Sequence, residues 1–112
     1  MEKIIAKIAG LGVPGIVLLV AIGATGYTGA AAITTALAAL GPGGMIGGIA
    51  LLGVIGVVSS AITEYGFDAI LTGVVKELYK RGETKHTILC KISKYPISKT
   101  LKAKLKIELE KL

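Results

Sequence analysis

His86 and Cys90 have the side chains with the widest chemical repertoire, since an imidazole exchanges protons near neutral pH and a thiolate is a nucleophile. Each is the only residue of its type in the chain. No paired carboxylate or nucleophile is evident near His86, so we interpret it as a surface histidine. Cys90 falls opposite Ile88 and Ile92 on a predicted helix, which favours an exposed, unreactive thiol. One cysteine excludes an intrachain disulfide and is too few for a structural metal site. We therefore predict no enzyme activity, no metal and no cofactor.

Two glycine-rich stretches resemble phosphate-binding loops only superficially. Residues 41–48, Gly-Pro-Gly-Gly-Met-Ile-Gly-Gly, lack the Lys and Ser/Thr of a P-loop. Residues 23–29 have glycine at every third position, but neither a βαβ pattern nor an acidic ribose ligand accompanies them. We set a nucleotide site aside and interpret these glycines as helix-packing and turn residues.

The dominant feature of the sequence is the uncharged run at 8–63, which has no Asp, Glu, Lys, Arg or His. A membrane-crossing helix needs roughly 20 mainly apolar residues, so this run is long enough for two. The clearest turn, Gly-Pro-Gly-Gly, falls at 41–44. The predicted fold is all-α: an integral membrane, Gly/Ala-rich two-helix hairpin at 13–63, followed by an amphipathic basic helical tail at 64–112. A short amphipathic interfacial helix is predicted at 1–12.

Local signals predict the helix boundaries within the tail. Asp68, Thr84, and either Ser98 or Thr100 are N-cap residue types, and Gly82 is placed to end the first of these helices. We expect helices at about 69–81, 84–94 and 98–112, each with one apolar face.

Charge segregation predicts the membrane orientation. Residues 76–112 hold eleven Lys/Arg against four Glu, and Lys3 and Lys7 precede the apolar run. Basic flanks stay on the cytoplasmic side, so we predict a multi-pass membrane protein with both termini cytoplasmic. Residues 8–24 also fit a cleaved signal peptide, although Glu2 weakens the basic segment that such a signal needs.

Small residues at helical spacing predict self-association, because they let helix backbones approach closely. A homo-oligomer built in this way has only hydroxyl side chains available to line a weakly selective pore. The residues predicted at the interface are Gly43, Gly44, Gly47, Gly48, Gly53, Gly56 and Ser60, and those predicted to line a pore are Thr25, Thr28, Thr34, Thr35 and Ser59.

Four lysines of the last helix, Lys99, Lys102, Lys104 and Lys106, are predicted to bind anionic lipid headgroups. A solvated face that only keeps the tail soluble is the alternative. Nucleic-acid binding is not expected, because aromatic residues are only 4% of the chain.

Residues 29–56, a Gly/Ala-rich block, resemble the core of the small interferon-inducible membrane proteins and similar bacterial sequences. The two-helix plan with a basic tail is also similar to small bacterial membrane effectors and holin-like toxins. The resemblance implies a small membrane protein linked to stress, defence or cell death, and it implies no catalytic residue.

These patterns together predict a small membrane protein that self-assembles and permeabilises the bilayer. Three alternatives stay open. The hairpin can anchor a tail that binds a protein partner without forming a pore. The chain can be a secreted, bacteriocin-like membrane-active protein. It can also be a shell that hides its apolar helices until it is triggered.

Overall fold

The structure is a computed structural model that describes residues 1–24 and 48–112, with side chains described at 1–24, 53 and 55–112. The predicted all-α class is confirmed for these residues, which form six helices and no strand. In chain order the helices are α1 (Glu2–Ala9), α2 (Val13–Gly23), α3 (Gly48–Tyr65), α4 (Phe67–Lys80), α5 (Lys85–Lys94) and α6 (Lys99–Glu110).

Helix α2 lies at the centre of the bundle and contacts each of the other five helices. Eight of its 11 residues are buried. Ile16, Val17, Leu19 and Val20 have no exposed surface at all. A helix that is apolar on every side has no face for water, so it is stable only when other elements enclose it.

The enclosing helices turn an apolar face towards α2 and a polar face outward. Helix α4 contributes a long stripe that runs from Ile70 to Leu78, and α5 contributes Ile88 and Ile92. Helix α6 buries Leu101, Leu105 and Leu109. These residues and α2 form one continuous core.

Two glycines set the directions of the chain between helices. Gly12 has a φ of +75° and ends a turn after which α2 runs at 114° to α1. Gly82 has a φ of +101°, and two bonds surround it, from the Glu83 N–H to the Leu78 carbonyl and from the Gly82 N–H to the Tyr79 carbonyl. This pair of bonds is the Schellman ending, in which glycine tolerates the left-handed backbone.

The predicted caps at Thr84 and Ser98 are present, and the predicted cap at Asp68 is not. The Thr84 hydroxyl accepts from the Thr87 N–H at 3.1 Å, and the Ser98 hydroxyl accepts from the Leu101 N–H at 3.1 Å. Helix α4 begins before Asp68, because Gly66 takes the N-cap position with a φ of +90°.

The predicted localisation, a multi-pass membrane protein with both termini cytoplasmic, is wrong. Among residues 1–24 and 48–112, no single helix has the length and apolar character to cross a bilayer, and only the bent pair α1 and α2 has them jointly. The most apolar described helix, α2, is covered by protein. The prediction failed because an uncharged apolar sequence suits a protein core as well as it suits lipid.

Candidate functional site

The basic surface of α6 is the first candidate site. Residues three, four and seven apart share a helix face, so Lys99, Lys102 and Lys106 lie together. We call these three residues the lysine surface. Lys99 and Lys106 are exposed, and the half-buried Lys102 donates from its Nζ to the Ser93 carbonyl of α5 at 3.0 Å. Lys104 is also half-buried, and its position in the helical repeat puts it on the other flank of the buried stripe.

Most basic side chains of the C-terminal third have no carboxylate partner in the described part of the chain. The ion pairs are Arg81–Glu77 at 3.4 Å, Lys91–Glu83 at 2.5 Å and Lys111–Glu108 at 3.2 Å. The other eight of the eleven Lys/Arg in 76–112 keep an uncompensated charge. Such a surface attracts anions, anionic lipid headgroups included.

Glu83 joins the end of α4 to the start of α5. Its carboxylate accepts from Lys91 Nζ and, at 2.6 Å, from the Thr87 hydroxyl. These two hydrogen bonds, the one from Lys91 first, hold the pKa of Glu83 below its usual 4.5. Burial raises the pKa of the nearby Tyr95 hydroxyl. The cluster therefore stabilises the helix junction in its charged form, and we assign it a structural role.

The interface prediction falls partly on α3. Gly53, Gly56 and Ser60, together with Ser59 from the pore prediction, are exposed along one side of this helix. We call these four residues the small-residue surface. A Cβ added at Gly53 or Gly56 would meet no described atom within 4 Å. Among the described residues, no atom therefore lies where a side chain at Gly53 or Gly56 would begin.

The structure describes no side-chain surroundings for the other residues of the interface and pore predictions. Gly48 is the first residue of α3, where only the backbone is described. The other residues of those predictions, Gly43, Gly44, Gly47, Thr25, Thr28, Thr34 and Thr35, lie outside the described residues.

Three glycines outside the predicted oligomer interface, of which only Gly23 belonged to a glycine-rich stretch noted in the sequence, make close helix contacts. A Cβ at Gly15 would strike the Ile8 carbonyl oxygen, one at Gly23 would strike the Phe67 ring, and one at Gly73 would strike Ile5 Cδ1. Helices α1, α2 and α4 approach one another at these places. The one available signal was a glycine within an otherwise bulky helical stretch, as at Gly15.

A cleft of about 370 Å³ lies between α1 and α4. Ile5 and Gly73 lie among its lining residues, and charged side chains of both signs complete the lining: Glu2, Lys76, Glu77 and Lys80. The lining contains no thiol, imidazole or hydroxyl, and its polar groups are lysine ammonium groups and glutamate carboxylates.

His86 and Cys90, which the sequence analysis treated separately, come together on α5. The His86 Nε2 and the Cys90 Sγ are 3.5 Å apart, and both residues are exposed. The spacing of four residues was the signal that predicts this contact. Among the described residues, no group of three or more His, Cys, Asp or Glu side chains has a metal-binding arrangement.

No protein-family model, curated protein or solved structure matches this chain. The family resemblance of residues 29–56 therefore stays a prediction.

Proposed function

We propose that this protein binds anionic lipid surfaces through its basic C-terminal helices and permeabilises the bilayer when the bundle opens. The observation that carries the proposal is the enclosure of α2. An uncharged helix with eight buried residues is covered on its sides by helices that have one apolar and one polar face. This arrangement fits a protein whose apolar centre changes its surroundings from protein to lipid.

The exchange costs α2 little hydrophobic free energy, because lipid chains replace the protein core around the same side chains. The backbone N–H and C=O groups in the middle of the helix stay paired within it, as a low-dielectric medium requires, while those of its first and last turns need partners outside the helix. The surrounding helices can then lie in the interface, with leucine and isoleucine in the acyl region and lysine at the headgroups. The eight unpaired basic residues would supply the attraction to an anionic surface, at about 1 kcal/mol for each one near it.

Self-assembly is the second step of the proposal. The small-residue surface of α3 offers a close helix contact to another copy, because Gly53 and Gly56 have no described neighbour within 4 Å. Gly56→Leu is expected to reduce dye release. A Cβ at Gly56 would meet no described atom within 4 Å, and urea unfolding of the variant checks that its fold is intact. Release that is unaffected by Gly56→Leu would exclude this surface from the assembly.

A disulfide lock tests whether opening is needed. The Cβ position of Gly73 lies 3.1 Å from Ile5 Cγ1 and 3.8 Å from Ile5 Cγ2. The two Cβ positions are therefore about 4 Å apart, which a disulfide can bridge. Ile5→Cys with Gly73→Cys, in a Cys90→Ser background, would pin α1 to α4. Since residues 10–12 are all that separate α1 from α2, the start of α2 is held as well.

The experiment measures dye release from vesicles of phosphatidylcholine with and without phosphatidylglycerol. We expect the reduced double-cysteine protein to release dye from the anionic vesicles and the oxidised form of the same sample to release little. Equal release by both forms would show that opening between α1 and α4 is not required. Vesicle binding without release by any form would refute permeabilisation and favour the membrane adaptor that recruits a protein partner.

A further inference from the structure

The contact between His86 and Cys90 has the geometry of two ligands on one metal ion. The His86 Nε2 and the Cys90 Sγ lie 3.5 Å apart on adjacent turns of α5. In a tetrahedral zinc site with Zn–S about 2.3 Å and Zn–N about 2.05 Å, a thiolate sulfur and an imidazole nitrogen are about 3.6 Å apart. The two ligand atoms are therefore at the separation that zinc requires, without a change of helix geometry.

Both side chains are also accessible and uncommitted to the core. His86 and Cys90 are exposed. They approach through Nε2, which leaves Nδ1 free to carry the imidazole proton when Nε2 binds a metal. Residues at i and i+4 on one helix face are a common way for a protein to present two metal ligands.

We propose that His86 and Cys90 form half of a zinc site, which a second copy of the chain completes. The described chain offers no third His, Cys, Asp or Glu in a metal-binding group with them. A structural zinc site takes four protein ligands, and Cys₂His₂ is one of its usual sets. Two copies that meet at α5 supply this set, so the site is incomplete in one chain and complete in a dimer. This inference goes beyond the proposed membrane activity and does not depend on it.

The charge balance of the shared site is favourable. Each Cys90 thiol gives up its proton to water on binding, so two thiolates neutralise the two positive charges of zinc. Lys94 lies one turn after Cys90 on the same side of α5 and is exposed, so a dimer would bring two such lysines near each other. Added salt screens this repulsion between exposed charges and should favour the dimer.

The test titrates the full-length protein, kept reduced, with Co²⁺ and then with Zn²⁺. We expect visible absorption from tetrahedral cobalt together with a thiolate-to-cobalt band, saturation at one metal for two chains, and a doubling of the mass by light scattering when metal is added. Cys90→Ser and His86→Gln should each lose the dimer and lower the metal affinity by more than about 100-fold, the upper end of the loss from removing an outer-shell partner.

Lys94→Ala is the matched control, because it changes the same face of α5 and keeps both ligands. It should still bind one metal for two chains, and it should dimerise at lower salt than the parent protein. Three results would overturn the proposal: no tetrahedral cobalt spectrum, saturation at one metal per chain with no change in mass, or metal binding that survives in Cys90→Ser. The second would mean that one chain binds the metal without a partner copy, and the third that other groups bind it.

Discussion

Gly15 packs against the main chain of Ile8 so closely that a Cβ at Gly15 would strike the Ile8 carbonyl oxygen and lie 3.2 Å from its carbonyl carbon. This contact lies where α2 turns away from α1 at 114°. Because the obstacle is backbone, it cannot rotate aside as a flexible side chain does.

Gly15→Ala is therefore expected to lower the free energy of unfolding by about 1–3 kcal/mol, the usual range for overpacking. Gly53→Ala and Gly56→Ala in α3 are the controls, because their Cβ atoms would meet no described atom within 4 Å. Each control should stabilise the chain by about 0.5–1 kcal/mol, the helix preference of alanine over glycine. Urea unfolding followed by circular dichroism measures all three, and a neutral Gly15→Ala would contradict the close contact.

Leu105 anchors α6 to the core with no exposed surface, whereas Ile107 on the same helix is 50% exposed. Leu105→Ala should cost about 2–5 kcal/mol of unfolding free energy, because it leaves a cavity in the core. Ile107→Ala should change stability by less than about 0.5 kcal/mol, as is usual for surface positions. Similar losses in both variants would mean that α6 does not use the face assigned to it.

The Thr84 cap holds the start of α5 through a reciprocal pair of bonds, in which the Thr84 N–H also donates to the Thr87 hydroxyl at 2.8 Å. Thr84→Ala should cost about 1 kcal/mol, since it leaves an N-terminal N–H without its acceptor. Thr100→Ala, at an exposed position in the first turn of α6, is the control and should cause no loss. Thermal unfolding of the two variants in parallel makes the comparison.

The pairing of Glu83 with Lys91 predicts a specific pH dependence. The pKa of the Glu83 carboxyl is below 4.5 in the folded chain, chiefly because of the hydrogen bond from Lys91, so folding favours the carboxylate. The contribution to stability is present above the unfolded value of 4.5 and is lost as the pH falls through the lowered folded value.

Glu83→Gln removes this contribution, which is below about 1 kcal/mol for a pair with an exposed lysine. At pH 7 we expect the parent protein to unfold at a higher urea concentration than Glu83→Gln. The difference between the two midpoints should shrink at acid pH. A difference that grows as the pH falls would have the wrong sign for a lowered pKa.

The lysine surface predicts selective binding to anionic vesicles. Lys99→Glu with Lys106→Glu should weaken sedimentation with phosphatidylglycerol vesicles more than Lys76→Glu with Lys80→Glu does. The two pairs change the net charge equally, and each basic residue near the surface is worth about 1 kcal/mol. Equal weakening by both pairs would mean that total charge, and not this surface, drives the binding.

Local chemistry made several helix ends predictable from the sequence. Thr84, Ser98 and Gly82 act through neighbours within five residues, so their roles depend little on the rest of the chain. The N-cap predicted at Asp68 was wrong, because Gly66 takes that position two residues earlier. The last helix was predicted to run to residue 112, yet α6 ends at Glu110 and Leu112 is 50% exposed.

The candidate site was less predictable. The sequence identified the four headgroup lysines as one basic group. The structure divides them, because the buried stripe of α6 lies between Lys104 and the lysine surface. The glycines in tight contact share no common spacing, because each faces a different neighbour: Gly15 faces Ile8, Gly23 faces Phe67 and Gly73 faces Ile5.

The sequence by itself determined that the chain is helical, that its charge is segregated and where several helices begin and end, because these properties depend on residues near one another in the chain. Only the tertiary structure decided what covers the apolar centre. Hydropathy measures the preference of side chains to leave water, and α2 satisfies that preference inside a bundle of its own neighbouring helices. Lipid satisfies the same preference equally well, so hydropathy alone does not predict whether protein or lipid covers α2.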